Sequence, residues 1–142
     1  MFTFLSHNEQ DTINFAKNFA NNLKIGDIVI LSGDLGSGKT KFTKGILSYF
    51  GLEHEISSPT FTIVNEHSIR ELNIYHFDIY RLNDAKEFYA NGFDEYFNKG
   101  ISIIEWGEKI KDSLYNYIEV IFEKDDTDEN IRRLMIYENI SH

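Results

Sequence analysis

The chain carries its densest chemistry in the run Leu31 to Thr40, LSGDLGSGKT. Within it, Gly33 to Thr40 satisfies the spacing G-x-x-x-x-G-K-[ST], in which glycines let successive backbone N–H groups turn inward and cradle a phosphate at the start of a helix. Gly33, Gly36, Ser37 and Gly38 form that cradle. Lys39 supplies a point charge for the β- and γ-oxygens of a nucleotide, and the Thr40 hydroxyl is suited to coordinate Mg²⁺. Phe42, in the first turn of the following helix, is grouped with these nucleotide-binding positions. A chance glycine loop is the competing explanation. At ordinary glycine usage of about 7% it should arise in about one chain in a few hundred, so the strand before and the helix after decide for the phosphate site.

A magnesium nucleotide site also needs a carboxylate at the end of a neighbouring strand. Glu105 closes the apolar run ISII and has the form of such a metal ligand. Asp78, in HFDIYR at the end of the preceding strand, is placed to order a metal-bound or attacking water. With Lys39 these two acids make up the candidate catalytic set, although either acid also has a plain reading as an exposed strand end. Guanine recognition would need a pattern such as N-K-x-D. The nearest text, Asn98-Lys99-Gly100-Ile101, lacks the acid, which disfavours GTP. Trp106, the only tryptophan, is either an adenine platform or a core residue. Thr60 and Thr62 follow the only proline, Pro59, and are either a switch loop sensing the γ-phosphate or ordinary strand threonines. His76 alternates with apolar neighbours and reads as structural. Arg132 and Arg133 read as partners of acids across a hairpin, with Arg132 in reach of the nucleotide.

The elements that must hold these residues follow from periodicity. SHNE from Ser6 matches a capping box, and Ile13, Ala16, Phe19, Ala20 and Leu23 then recur at helical spacing until Gly26. DIVILS, Asp27 to Ser32, is an unbroken apolar run typical of a strand covered on both faces. Lys39 to Phe50 is a helix with Phe42, Ile46, Leu47 and Phe50 on one face. An extended segment starts near Thr60, LNIYHFDI is a strand from Leu72 to Ile79, Asn83 caps a short helix DAKEFYA, and ISIIE is a second buried parallel strand. YIEVIFE and IRRLMIY flank KDDTDEN as a C-terminal β-hairpin. The expected fold is therefore a three-layer αβα domain of the P-loop type with a mainly parallel central sheet, one domain over residues 1–142.

Composition narrows the function classes. A net charge of -9, from 23 acidic and 14 basic residues, repels phosphate backbones and disfavours direct nucleic-acid binding. No cysteine is present, which removes thiolate chemistry and fits a reducing cytoplasm. The N-terminus lacks the basic start and apolar length of a signal peptide, and no segment reaches the length of a membrane span, so a cytoplasmic protein is expected.

The blocks GDLGSGKT, SPTFT, HFDIYR and IEW, in this order and spacing, resemble the TsaE (YjeE) family, small bacterial P-loop ATPases required for threonylcarbamoyladenosine formation on tRNA. The resemblance runs from the first helix to the final hairpin. Gly107 departs from it, since the family often has proline after the tryptophan, and the tail is more acidic. The resemblance implies ATP and Mg²⁺ as ligands, Thr40 and Glu105 at the metal, Asp78 in the catalytic neighbourhood and Trp106 against the adenine. It also implies a nucleotide-driven accessory subunit that engages the TsaB–TsaD complex, and the lack of an obvious arginine finger or lid predicts that the isolated domain hydrolyses ATP slowly. A small-molecule kinase and a non-hydrolysing nucleotide switch are the rivals, the kinase weakened by the lack of a lid-like arginine cluster.

Overall fold

β-branched runs without polar alternation set the frame. In the computed structural model, which describes residues 1–34, 36–53 and 63–140, Ile28–Ser32 (β2) and Ile101–Glu105 (β5) are buried along their whole length. They pair in parallel, with Leu31 opposite Glu105. Tyr117–Lys124 (β6) lies parallel on the other side of β2, and Leu72–Asp78 (β4) lies parallel on the other side of β5 with Asp78 opposite Glu105. Antiparallel strands extend this centre: Val64–Ile69 (β3) on β4, Arg132–Asn139 (β7) on β6, and Phe2–Ser6 (β1) on β7. The resulting order is β1-β7-β6-β2-β5-β4-β3.

Helices Glu9–Ala20 (α1) and Lys39–Tyr49 (α2) cover one face. Their apolar stripes, Ala16 and Ala20 on α1 and Phe42, Ile46 and Leu47 on α2, pack on Val29, Leu31, Ile103, Val120 and Leu134. The two helices run side by side in the same direction. Glu9 lies 3.6 Å from Lys41 at one end and Tyr49 Oη donates to Asn21 Oδ1 at 2.6 Å at the other. The opposite face is covered by short pieces, Ala85–Ala90 (α3) and 3-10 turns at 93–96, 107–109 and 111–113. Phe88, Phe93 and Phe97 stand there over Ile30, Tyr75, Phe77 and Ile104. The expected three-layer α/β arrangement with a mainly parallel centre is present, with a thin second helical layer.

Several local expectations shift. Asn8, not Ser6, caps α1: its Oδ1 accepts from Asp11 N at 2.8 Å, while Asp11 Oδ2 accepts from His7 N at 2.9 Å. Asp84, not Asn83, caps α3, accepting from Glu87 N at 2.9 Å. Helix α1 ends at Ala20, where Asn21 and Asn22 are weak helix formers. β1 has no counterpart in the sequence-based assignment. Its Phe2 and Phe4 share one side of the strand and both stack on Phe15, at 6.0 and 4.3 Å between ring centres. Glu119 on β6 is buried instead of solvated, and Ser32 Oγ donates to it at 2.8 Å while Lys111 Nζ lies 3.3 Å away. Both faces of β6 are covered beside β2, so the alternation breaks there and the charge has partners.

The α1–α2 contact leaves no room for a side chain at Gly45. A Cβ there would lie 2.4 Å from Ile13 O and 2.5 Å from Ala16 Cβ. Gly45→Ala should force the helices apart and destabilise the protein by about 1–3 kcal/mol, more than offsetting alanine's better helix propensity. A thermal melt checks this. An unchanged or raised midpoint would contradict the close crossing.

Candidate functional site

Strand β2 delivers the chain at Gly33, whose φ of +148° and lack of a side chain let the loop turn tightly; a Cβ there would lie 2.8 Å from Phe122 O and 2.9 Å from Ser37 Oγ. The loop then closes through Ser37 N donating to Asp34 O at 3.1 Å and enters α2 at Gly38, with φ of +112°. Helix α2 begins with no side-chain cap and no acid in its first turn. Its first N–H groups are therefore unpartnered by side chains, and its positive dipole end is uncompensated, which is the local chemistry an anion needs. Ser37 Oγ is buried and has no hydrogen-bond partner. An orphaned hydroxyl inside a glycine cradle fits a phosphate oxygen as its missing partner.

Lys39 occupies the middle of this arrangement. It is 5% exposed, its Nζ donates to Gly33 O at 2.6 Å, and the same ammonium lies 3.4 Å from the centre of the Trp106 ring. Burial pushes its pKa below the usual lysine range, against the pull of Glu108, Glu105, Asp78 and Asp34. Trp106 holds a left-handed backbone, φ +66°, which turns the chain at the end of β5. Its ring also meets Tyr80 at 4.9 Å between centres.

The carboxylates arrive by register. Parallel pairing sets Leu31, Glu105 and Asp78 at the ends of adjacent strands. Alternation puts Asp78 and Glu105 on the sheet face that carries Ile74, Ile101 and Ile103, the face covered by α2. Glu105 is 6% exposed and Asp78 is half-buried, its Oδ1 accepting from Tyr80 N at 3.0 Å. Together with the loop these residues line a cleft of about 360 Å³, whose walls include Gly36, Gly38, Lys39, Thr40, Asp78, Glu105, Trp106 and Arg132.

Most of the sequence-selected residues therefore meet in one place. Arg132 reaches the loop itself, Nη2 donating to Gly36 O at 3.2 Å, while Arg133 pairs with Glu123 at 3.2 Å. Phe42 is a correction. It is fully buried among Phe15, Phe19 and Phe122 and presents nothing to the cleft, because its position on α2 faces the sheet. Trp106 stands with Lys39 at the phosphate end, so an adenine ring could stack on that face only after the ammonium leaves it. Pro59, Thr60 and Thr62 lie outside the described residues. Sequence reasoning missed Asn8, Glu9 and Thr12 at the start of α1, and Lys41, Glu129 and Asn130, all of which line the cleft. No local signal in the sequence points to Asn8, Glu9 and Thr12, since they join the cleft only because α1 lies parallel to α2.

A strand, glycine loop and helix with this geometry, set between strand-end carboxylates, define a P-loop nucleotide-binding fold. Comparison with known proteins sharpens this. The family model "Threonylcarbamoyl adenosine biosynthesis protein TsaE" matches residues 6–134. The tRNA threonylcarbamoyladenosine biosynthesis protein TsaE of Rickettsia felis is 43% identical over 137 residues, covering 95% of this chain and 79% of that protein. Its namesake in Rickettsia typhi is 47% identical over 106 residues, 74% of each chain, and that of Bacillus subtilis 39% identical over 124 residues, 86% and 77% of the two chains. The crystal structure of Bacillus subtilis YdiB superposes with a TM-score of 0.77 at 31% identity, covering 99% of this chain and 86% of that one. The chain belongs to the TsaE family, nucleotide-binding proteins of tRNA threonylcarbamoyladenosine biosynthesis.

The lowered pKa of Lys39 has a measurable consequence. Only the ammonium attracts phosphate, so affinity for ADP should hold at neutral pH and fall as pH rises through that lowered pKa, before the usual lysine range near about 10.4 is reached. Lys39→Met should bind more weakly and without this decline. Titrations from about pH 7 to about pH 11 check it; a decline no earlier than that of an ordinary lysine, or none at all, would contradict the burial of a titrating ammonium at the site.

Proposed function

We propose that the chain is a Mg²⁺-dependent ATPase of slow intrinsic turnover, one domain over residues 1–142 acting in the cytoplasm. In this reading it serves the TsaB–TsaD complex during threonylcarbamoyladenosine formation at adenosine 37 of tRNA. The observation that carries the reading is the convergence of the glycine cradle, the buried Lys39 ammonium and the strand-end pair Glu105 and Asp78 on one cleft.

The roles follow from chemistry. The loop N–H groups and Ser37 Oγ bind phosphate oxygens, and Lys39 gives up Gly33 O to cover the β- and γ-oxygens. Thr40, exposed at the cleft, and Glu105 would hold the metal, which would supply positive charge to cover the phosphoryl oxygens. Among the described residues no group of three His, Cys, Asp or Glu side chains could hold a metal ion by itself. The ion would therefore arrive with the nucleotide, as Mg²⁺ commonly does. Asp78 orders the attacking water, with its Oδ1 already fixed by Tyr80 N. Arg132 braces the loop at Gly36 and is the arginine of the described cleft.

A kinase reading is disfavoured by the same geometry. Arg70 sits at the β3–β4 turn, Arg133 pairs with Glu123, Arg81 is exposed after β4 and does not line the cleft, and Arg132 is the only arginine among the described residues that does. A slow ATPase that depends on a partner for full charge cover suits a site with one arginine at its edge. The overall charge of -9 makes a protein partner a better fit to its surface than tRNA.

Lys39→Ala and Thr40→Ala should each lower ATP hydrolysis by about a hundredfold or more, since one removes phosphate charge cover and the other a metal ligand. Phosphate release without any acceptor measures it. Wild-type turnover in either variant refutes the site. Adding purified TsaB–TsaD should accelerate hydrolysis and bind the ATP form more tightly than the ADP form; equal affinity and unaltered turnover would remove the partner from the proposal.

A further inference from the structure

His76 is buried on β4, 3% exposed, and its Nε2 lies 2.5 Å from Glu105 Oε2. It stands two residues before Asp78 on the same side of the strand, and it reaches Glu105 diagonally across the parallel pair, since its own register partner is Ile103. An ionised carboxylate only accepts hydrogen bonds, so the ring N–H donates. Glu105 thus has one oxygen committed to a rigid ring while its side chain lines the cleft.

A buried histidine–carboxylate pair needs a reason to exist. Well-packed apolar residues of similar volume usually serve a core as well or better than a buried ion pair, whose desolvation consumes most of its attraction. The positions that lead up to the pair on both strands follow the apolar rule: Ile74 precedes His76 on its face, and Ile101 and Ile103 precede Glu105 on theirs. The polar pair begins where the sheet face passes from under α2 to the cleft. A carboxylate ligand left free to rotate would hold a metal poorly, whereas one clamped by a neighbour is pre-set.

We infer that His76 is a positioning residue, holding the Glu105 carboxylate through Nε2 in the orientation that receives the nucleotide's divalent cation. This rests on the proposed role of Glu105 at the metal. In this role His76 acts through Glu105, its hydrogen-bond partner.

The test compares His76→Gln, whose amide nitrogen reaches the place of Nε2, with His76→Asn, whose amide falls short. Glu105→Gln serves as the reference. Two quantities are measured on folded full-length protein: Mn²⁺ affinity of the ADP complex by electron paramagnetic resonance, and ATP turnover. His76→Asn should weaken Mn²⁺ binding and slow turnover by about ten- to hundredfold, as loss of a ligand's supporting partner does, while His76→Gln stays within about threefold of wild type. ADP affinity without metal should be unchanged in both. Equal impairment of the two variants, or wild-type behaviour of His76→Asn beside an impaired Glu105→Gln, makes His76 a plain core residue and overturns the inference alone. Wild-type Mn²⁺ affinity in Glu105→Gln instead removes Glu105 from the metal, and the inference falls with it. If His76→Asn does not fold, loss of Mn²⁺ affinity in His76→Gln overturns the inference and retention upholds it.

Discussion

The constraint on which the site depends is a buried lysine ammonium that must be satisfied before any ligand arrives. Leaving that charge unpaired in a low-dielectric setting would be costly. Lys39 therefore takes Gly33 O and the Trp106 face as partners, with Asp34, Asp78, Glu105 and Glu108 close enough to favour its charged state. These contacts tie the loop to the end of β5. They also define what a phosphate must replace, since it competes with a carbonyl and a ring for the same cation.

The rest of the fold can be traced from this requirement. Placing Gly33, Glu105 and Asp78 together needs adjacent parallel strands ending level, which β2, β5 and β4 supply. Such strands are buried on both faces, so α1 and α2 must cover one side and the aromatic cluster around Phe88 the other. The acidic surroundings add a further condition. Four carboxylates near the lysine would repel a polyphosphate, which is consistent with the proposal that the nucleotide brings its own divalent cation.

What could be read beforehand was what is local in the chain. The G-x-x-x-x-G-K-T spacing, the apolar runs of β2 and β5, helix α2 and the β6–β7 hairpin are signals confined to short windows, and each lies where periodicity puts it. β1 was hidden because only Phe4 of its apolar residues is partly buried, leaving a short alternation that resembles an exposed start. The cleft wall from Asn8 to Thr12 was hidden for a different reason: it depends on α1 lying parallel to α2, a tertiary fact. Phe42 was misassigned by proximity to the motif, although its spacing with Ile46 and Leu47 already marked it as core. His76 read as structural from alternation alone, and nothing short of the register between β4 and β5 sets it against Glu105.

The central claim is that nucleotide phosphate takes Lys39 away from Gly33 and from the Trp106 ring. Trp106 is the only tryptophan, so its emission reports that exchange without interference. Saturating ADP should change the wild-type emission, and nucleotide-free Lys39→Met, which has no cation over the ring, should already differ from nucleotide-free wild type. An emission spectrum that stays the same through saturation, with Lys39→Met matching wild type, would contradict the account.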